Sequence, residues 1–184
     1  MKYASAAFTF LELIIVVAIV CVLSIVVLVF LNPEEIQKKT RDSKRIKDAM
    51  TLQGILEQVA RSEINGDIIE NSHGASSANI PIDTVVCNDT NWLGFDICKF
   101  TSTAPLDPLN GEIADMVKGD SQRIGVMYYQ VKIQGGDYEI NVRQESITNA
   151  NKVTNDGGDS DEWFEIFSGE NNLFDQKNPF HSNE

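Results

Sequence analysis

The sequence predicts an α+β protein in which a long N-terminal helix, apolar in its first part and amphipathic in its second, packs on a small antiparallel sheet. Three observations predict it. Phe8 to Leu31 is apolar apart from Thr9, Glu12 and Ser24. After Asn32-Pro33, apolar residues recur at three- and four-residue spacing as far as Ala60. Beyond the middle of the chain, aliphatic and aromatic runs are separated by glycine-containing turns.

The first element is residues 8–31. A bilayer core about 30 Å thick takes roughly 20 apolar residues as a helix rising about 1.5 Å per residue. Leu13 to Leu31 supplies that without a charge, so the segment is expected to span a membrane. The apolar part of a secretory signal runs only about 7 to 15 residues. The small triplet Ala4-Ser5-Ala6 precedes the apolar run, where signal processing needs it to follow, so the helix should stay attached. Glu12 is the anomaly in this run. An ionisable group at helix depth costs about 2.5 to 3.5 kcal/mol on insertion scales. Either it is kept for a task, or it sits at the interface and reaches water.

These residues meet a known pattern: AFTFLELIIVVAIVCVLSIVV resembles the N-terminal segment of type IV prepilins and of the pseudopilins of type II secretion. In those families a short basic leader ending in Gly is removed by a prepilin peptidase, and the exposed Phe is N-methylated. The resemblance implies a leader of residues 1–7 with Lys2 as its charge, cleavage after Ala7, and methylation of Phe8. It also makes Phe8 and Glu12 the assembly residues. Ala7 stands where the family nearly always has Gly. The implied location is the bacterial cytoplasmic membrane, as a single-pass protein, and then an extracellular or periplasmic filament. The implied partners are further copies of the chain, the prepilin peptidase, and the pilus or secretion assembly machinery. Charge counting points the other way, because six basic residues between Lys38 and Lys47 follow the helix while Lys2 alone precedes it. Their interleaving with Glu34, Glu35, Asp42 and Asp48 blunts that signal, so the family orientation is preferred.

Residues 32–62 form the second element. Asn32 reads as an N-cap, Pro33 as the first helical position, and Glu34 and Glu35 as first-turn carboxylates. Pro33 therefore marks a kink or a restart. Ile46, Ala49, Met50, Gln53, Leu56, Val59 and Ala60 form a stripe, while Glu34 with Lys38 and Glu35 with Lys39 are i,i+4 pairs. The result is a helix of about eight turns, either a solvated linker or, as preferred here, one packed on the sheet. RDSKRIKDAMTLQGILEQV also resembles the corresponding helix of the major pseudopilins and related bacterial pilins.

Residues 63–170 are expected to form the head. The stretch 62–104 is rich in Ser, Asn, Asp, Gly and Thr and reads as an irregular insertion. Of three cysteines, Cys21 lies in the apolar run while Cys87 and Cys98 lie close together, a pair and a leftover. In an exported domain a disulfide there contributes about 3 kcal/mol by loop entropy; two free thiols are the alternative. No nearby His or further Cys completes a tetrahedral metal set. Pro105-Leu106-Asp107-Pro108-Leu109-Asn110-Gly111 is a turn by its own chemistry, and it looks like the loop before the sheet of the major pseudopilins. Arg123 to Ile133 and Tyr138 to Gln144 read as strands joined by Gln134-Gly135-Gly136-Asp137, with Trp163 to Phe167 a third. A sheet of three or four strands follows. Residues 171–184 read as a polar tail.

The formal net charge of -12 argues against nucleic acid or an anionic surface as partner. No nucleophile elbow, phosphate loop, dinucleotide fingerprint or zinc-protease motif occurs, so an enzyme is not expected. Asn155 to Glu162 packs four carboxylates and two glycines into eight residues. A solvated acidic loop is one reading. Calcium is the other, because it takes six to eight hard oxygen ligands and the stretch resembles the calcium loop of the major pseudopilins. Asp156, Asp159 and Asp161 are then the candidate ligands. The expected function is a structural subunit of a type IV pilus-like filament. The alternatives are a pseudopilin of a type II secretion system and a signal-anchored extracellular binding domain that does not polymerise.

Overall fold

A computed structural model describes residues 8–61, 73–78, 80, 86–169 and 173–174. Ala7 and the rest of the expected leader lie outside these residues, as does most of the expected tail. The chain divides into two units, one ending at Gln37 and one beginning at Lys38.

In the first unit, helix α1 (Phe10–Leu31, 22 residues) begins at the N-cap Thr9. Apart from Glu12 it is apolar all round, the pattern of a membrane span or of a fully buried helix. Phe10–Val27 has a mean hydropathy of 3.2 and none of it is buried, so this helix is long and apolar enough to cross a membrane. Asn32 ends α1 in the left-handed conformation, at φ 41°. Helix α2 (Pro33–Arg61, 29 residues) starts immediately after it. The Asn32 side chain accepts from Glu35 N at 3.4 Å, which satisfies one open donor of the new helix. Pro33 thus marks a restart.

In the second unit, α2 packs on a four-stranded antiparallel sheet. Its strands are β1 (His73–Ser76), β4 (Tyr129–Gln134), β5 (Asp137–Val142) and β6 (Phe164–Phe167), in the order β1-β4-β5-β6. Gln134 pairs with Asp137, and Gly135 and Gly136 both have positive φ, 61° and 91°, as a two-residue hairpin turn requires. Tyr129, Val131 and Ile133 alternate with half-buried or exposed neighbours and meet Tyr138, Ile140 and Val142 in the core. From the helix come Ala49, Leu52, Ile55, Leu56 and Val59.

Two expectations are corrected. Met50 is 58% exposed, and the buried face of α2 runs instead through Asp42, Arg45, Ala49, Leu52, Leu56 and Val59. The predicted stripe held no charged residue, whereas this face opens with the charged pair Asp42 and Arg45. Arg123 to Ile133 is not one strand. Its first part belongs to β3 (Ser121–Val126), which pairs with β2 (Ile113–Lys118) in a separate two-stranded sheet; the chain then passes through Met127 and Tyr128 into β4. Gly125 allows β3 to lie close over Met116, where a Cβ would come within 2.4 Å of the Met116 sulfur.

The insertion is irregular, as expected, but it is also core: Trp92, Leu93, Phe95 and Ile97 are buried against α2 and the sheet. Cys87 and Cys98 form a disulfide across it, with Cα atoms 4.7 Å apart. A short helix, α3 (Ala150–Thr154), precedes the acidic loop.

Candidate functional site

The N-terminal candidates lie at the start of α1. Phe8 is 78% exposed. Glu12 occupies the third helical position and completes a capping box: its N–H donates to Thr9 Oγ1 at 3.3 Å, while Thr9 N donates to Glu12 Oε2 at 2.8 Å. The Thr9 hydroxyl donates to the same oxygen at 2.9 Å. A carboxylate here also faces the positive end of the helix dipole. Among the described residues Oε1 takes no hydrogen bond, so one oxygen caps the helix while the other faces outward.

A second polar site was not anticipated. Arg45 is completely buried, and its guanidinium donates to Asp107 at 2.7 and 2.9 Å, to Asp42 at 2.9 Å and to Glu145 at 2.5 Å. Arg41 holds Glu145 from the other side at 2.8 and 2.6 Å. Asp42 accepts from Glu145 N, Ser146 N and Asn149 Nδ2. Burial disfavours the charged guanidinium of Arg45, but the hydrogen bond and charge of Asp107, with Glu145 behind them, outweigh it and raise its pKa. Burial pushes the Glu145 carboxyl up, and the two arginines more than reverse this, holding it below the usual range. Nearby, the Tyr129 hydroxyl donates to Asp48 at 2.9 Å. Burial raises both groups, so the tyrosine stays protonated. The sequence signal was the helical spacing of Asp42, Arg45 and Ala49, legible only once the face was known.

The acidic loop folds around Glu165. Asp156 accepts from Gly158 N at 2.9 Å and from Glu165 N at 2.8 Å, and Ser160 N donates to Glu165 Oε2 at 3.2 Å. Glu162 pairs with Lys118 at 2.8 Å and with Arg123. The Asp161 carbonyl accepts from Gly119 N at 2.7 Å, anchoring the loop to the β2–β3 turn. Among the described residues no three or more acidic, His or Cys side chains are placed to share a metal. Glu165 is nonetheless 2% exposed, its Oε1 has no hydrogen-bond partner, and burial together with Glu139, Asp156 and Asp159 raises its carboxyl to about 8. At about 8 this carboxyl is protonated and neutral at pH 7, which lowers the cost of its burial.

His73 lies in β1 and pairs with Ile133, and His181 is outside the described residues. Comparison with known proteins returned no match among family profiles, curated proteins or solved structures.

Proposed function

We propose that this chain is the structural subunit of a type IV pilus-like filament, made in the bacterial cytoplasmic membrane and assembled through α1. The observation that carries the reading is the start of α1, where Phe8, the Thr9 cap and Glu12 introduce an exposed apolar span. A prepilin peptidase would cut after Ala7 and leave a free amine on Phe8. Phe8 and Glu12 are four residues apart, so along the axis the two charges lie within about one helical turn, about 6 Å, of each other. In a filament core each would be strongly unfavourable alone, and the pairing of Glu12 with a neighbour's Phe8 amine removes both penalties. The capping geometry supports this, because Oε2 serves Thr9 while Oε1 can take the amine.

The test is Glu12→Gln in the full chain. The variant is expected in the membrane at parental levels, since the change makes the helix more apolar, with filament yield strongly reduced. Parental yield would reduce Glu12 to a helix cap. A short periplasmic pseudopilus for protein secretion is the second reading, favoured by the resemblance of α2 and of the acidic loop to pseudopilins. Long surface filaments containing the chain select the pilus; their absence together with a secretion defect selects the pseudopilus. A chain that keeps residues 1–7 and cross-links to no other copy is a signal-anchored binding domain. Under either filament reading Asp156, Asp159 and Asp161 are the candidate calcium ligands, on the resemblance of their loop to the calcium loop of the major pseudopilins.

A further inference from the structure

The chain leaves β6 through a tight turn. Gly169 has φ 72°, and a Cβ there would lie 2.3 Å from an Asp137 carboxylate oxygen, so the turn requires glycine. Beyond it, Leu173 and Phe174 lie against side chains of β4 and β5. Val131, Ile133, Tyr138 and Ile140 point to the core. Lys132 and Glu139 alternate with them and stand opposite each other across the β4–β5 ladder, so both point to the outer face of the sheet.

These two side chains hold one peptide unit between them. Lys132 Nζ donates to Leu173 O at 2.5 Å, and Phe174 N donates to Glu139 Oε2 at 3.0 Å. The C=O of Leu173 and the N–H of Phe174 belong to the same trans peptide and point to opposite sides of the chain. A donor and an acceptor must therefore stand on either side of it. Partners across a rung, with Cβ atoms roughly 5 Å apart, supply that spacing. Asn141 Nδ2 donates to Glu139 Oε1 at 2.8 Å and fixes the carboxylate, which is fully buried. The Lys132 ammonium also lies 5.9 Å from the centre of the Phe174 ring, within cation–π range.

We propose that Lys132 and Glu139 form a binding site for an extended peptide, and that the segment after β6 is its resident ligand, a strap that can leave and be replaced by the same peptide supplied in trans. The site recognises a backbone unit, which any sequence offers, and an aromatic ring directly after it, which selects. Both backbone bonds are charge-assisted and come from side chains, so the segment is held without adding a strand to the sheet. Its release breaks these contacts and leaves the β4–β5 ladder whole, so the strap opens at a lower free energy than the head unfolds. Tethered six residues beyond Phe167, it competes for the site at an effective concentration in roughly the millimolar range, which keeps other peptides out.

The experiment uses the full chain in detergent. In Lys132→Met the fragment containing Phe174 should exchange its amide hydrogens about tenfold faster than in the parent, with β4 and β5 unchanged. Unchanged exchange at Phe174 overturns the clamp. Acceleration that spreads through β4 and β5 makes Lys132 a general support of the sheet and overturns it equally. For binding in trans, Phe174→Ala weakens the resident strap, and this variant is irradiated with a synthetic peptide of residues 170–178 carrying p-benzoylphenylalanine at the Phe174 position. Labelling should fall on β4 and β5, be competed by the unmodified peptide, weaken in the parent and disappear when Lys132→Met is added to Phe174→Ala. Absent labelling, labelling scattered over the chain, or labelling indifferent to Lys132→Met overturns the site.

Discussion

Arg45 holds together carboxylates from three separated parts of the chain, Asp42, Asp107 and Glu145, without contact with water. Such a cluster tolerates loss of one member poorly, because the remaining charges stay buried without compensation. Arg45→Met keeps the aliphatic length and removes the charge, and is expected to destabilise the head by about 3 to 5 kcal/mol. Lys47→Met on the exposed side of α2 should fall within about 0.5 kcal/mol of the parent. Urea unfolding in detergent, followed by fluorescence of the buried Trp92 and Trp163, measures both. The same cluster sets a pH dependence. Glu145 is depressed in the folded state relative to its ordinary value of 4.5, so its contribution is present above that value and lost as the pH falls through the folded pKa. Thermal unfolding should move to lower temperature on acidification below about pH 4.5, and Glu145→Gln should flatten that slope.

Among the elements, those with a strong local pattern were legible: α1 from its apolar length, α2 from its caps and periodicity, and the β4–β5 hairpin from Gly135-Gly136 between aliphatic runs. β1 was not, because His73-Gly74-Ala75-Ser76 has no strand propensity and exists through its pairing with β4. β2 was missed and β3 merged with β4 because sequence continuity conceals the change of sheet at Met127. Gly125→Ala tests that break: the added Cβ would meet the Met116 sulfur and the Arg143 guanidinium, so a loss of about 1 to 3 kcal/mol is expected by the same unfolding measurement. The insertion is held by one covalent link, and Cys87→Ser should cost about 3 kcal/mol and raise amide exchange between residues 86 and 104. Of the candidate site, the helix start was readable in Thr9 and Glu12. The buried charges were not, because Arg45 looks like any surface arginine until its helix face is known. For the acidic loop, calorimetric titration should show calcium binding that Asp159→Ala weakens; a flat titration at millimolar calcium leaves a solvated loop.

At the scale of the whole molecule, the apolar span and the head make opposite demands on solvent, and removal of residues 1–7 is the step that would connect them. Intact-mass measurement of assembled material should give a chain beginning at N-methylated Phe8. Filaments whose subunits retain Met1 to Ala7 would reject processing at Ala7. The buried cluster also bears on how such a protein reaches its destination. Arg45 meets its partners across sequence separations of 62 and 100 residues, and Asp42 meets Asn149 across 107. A chain delivered through a membrane N-terminus first presents Asp42 and Arg45 early and Glu145 only near the end. Until then α2 carries an unfinished polar seam that water must fill, and contacts of such separation form slowly. In a chain exported as proposed, the head would therefore close only after most of it has been delivered, and a protease on the far side would meet an open chain until Glu145 arrives.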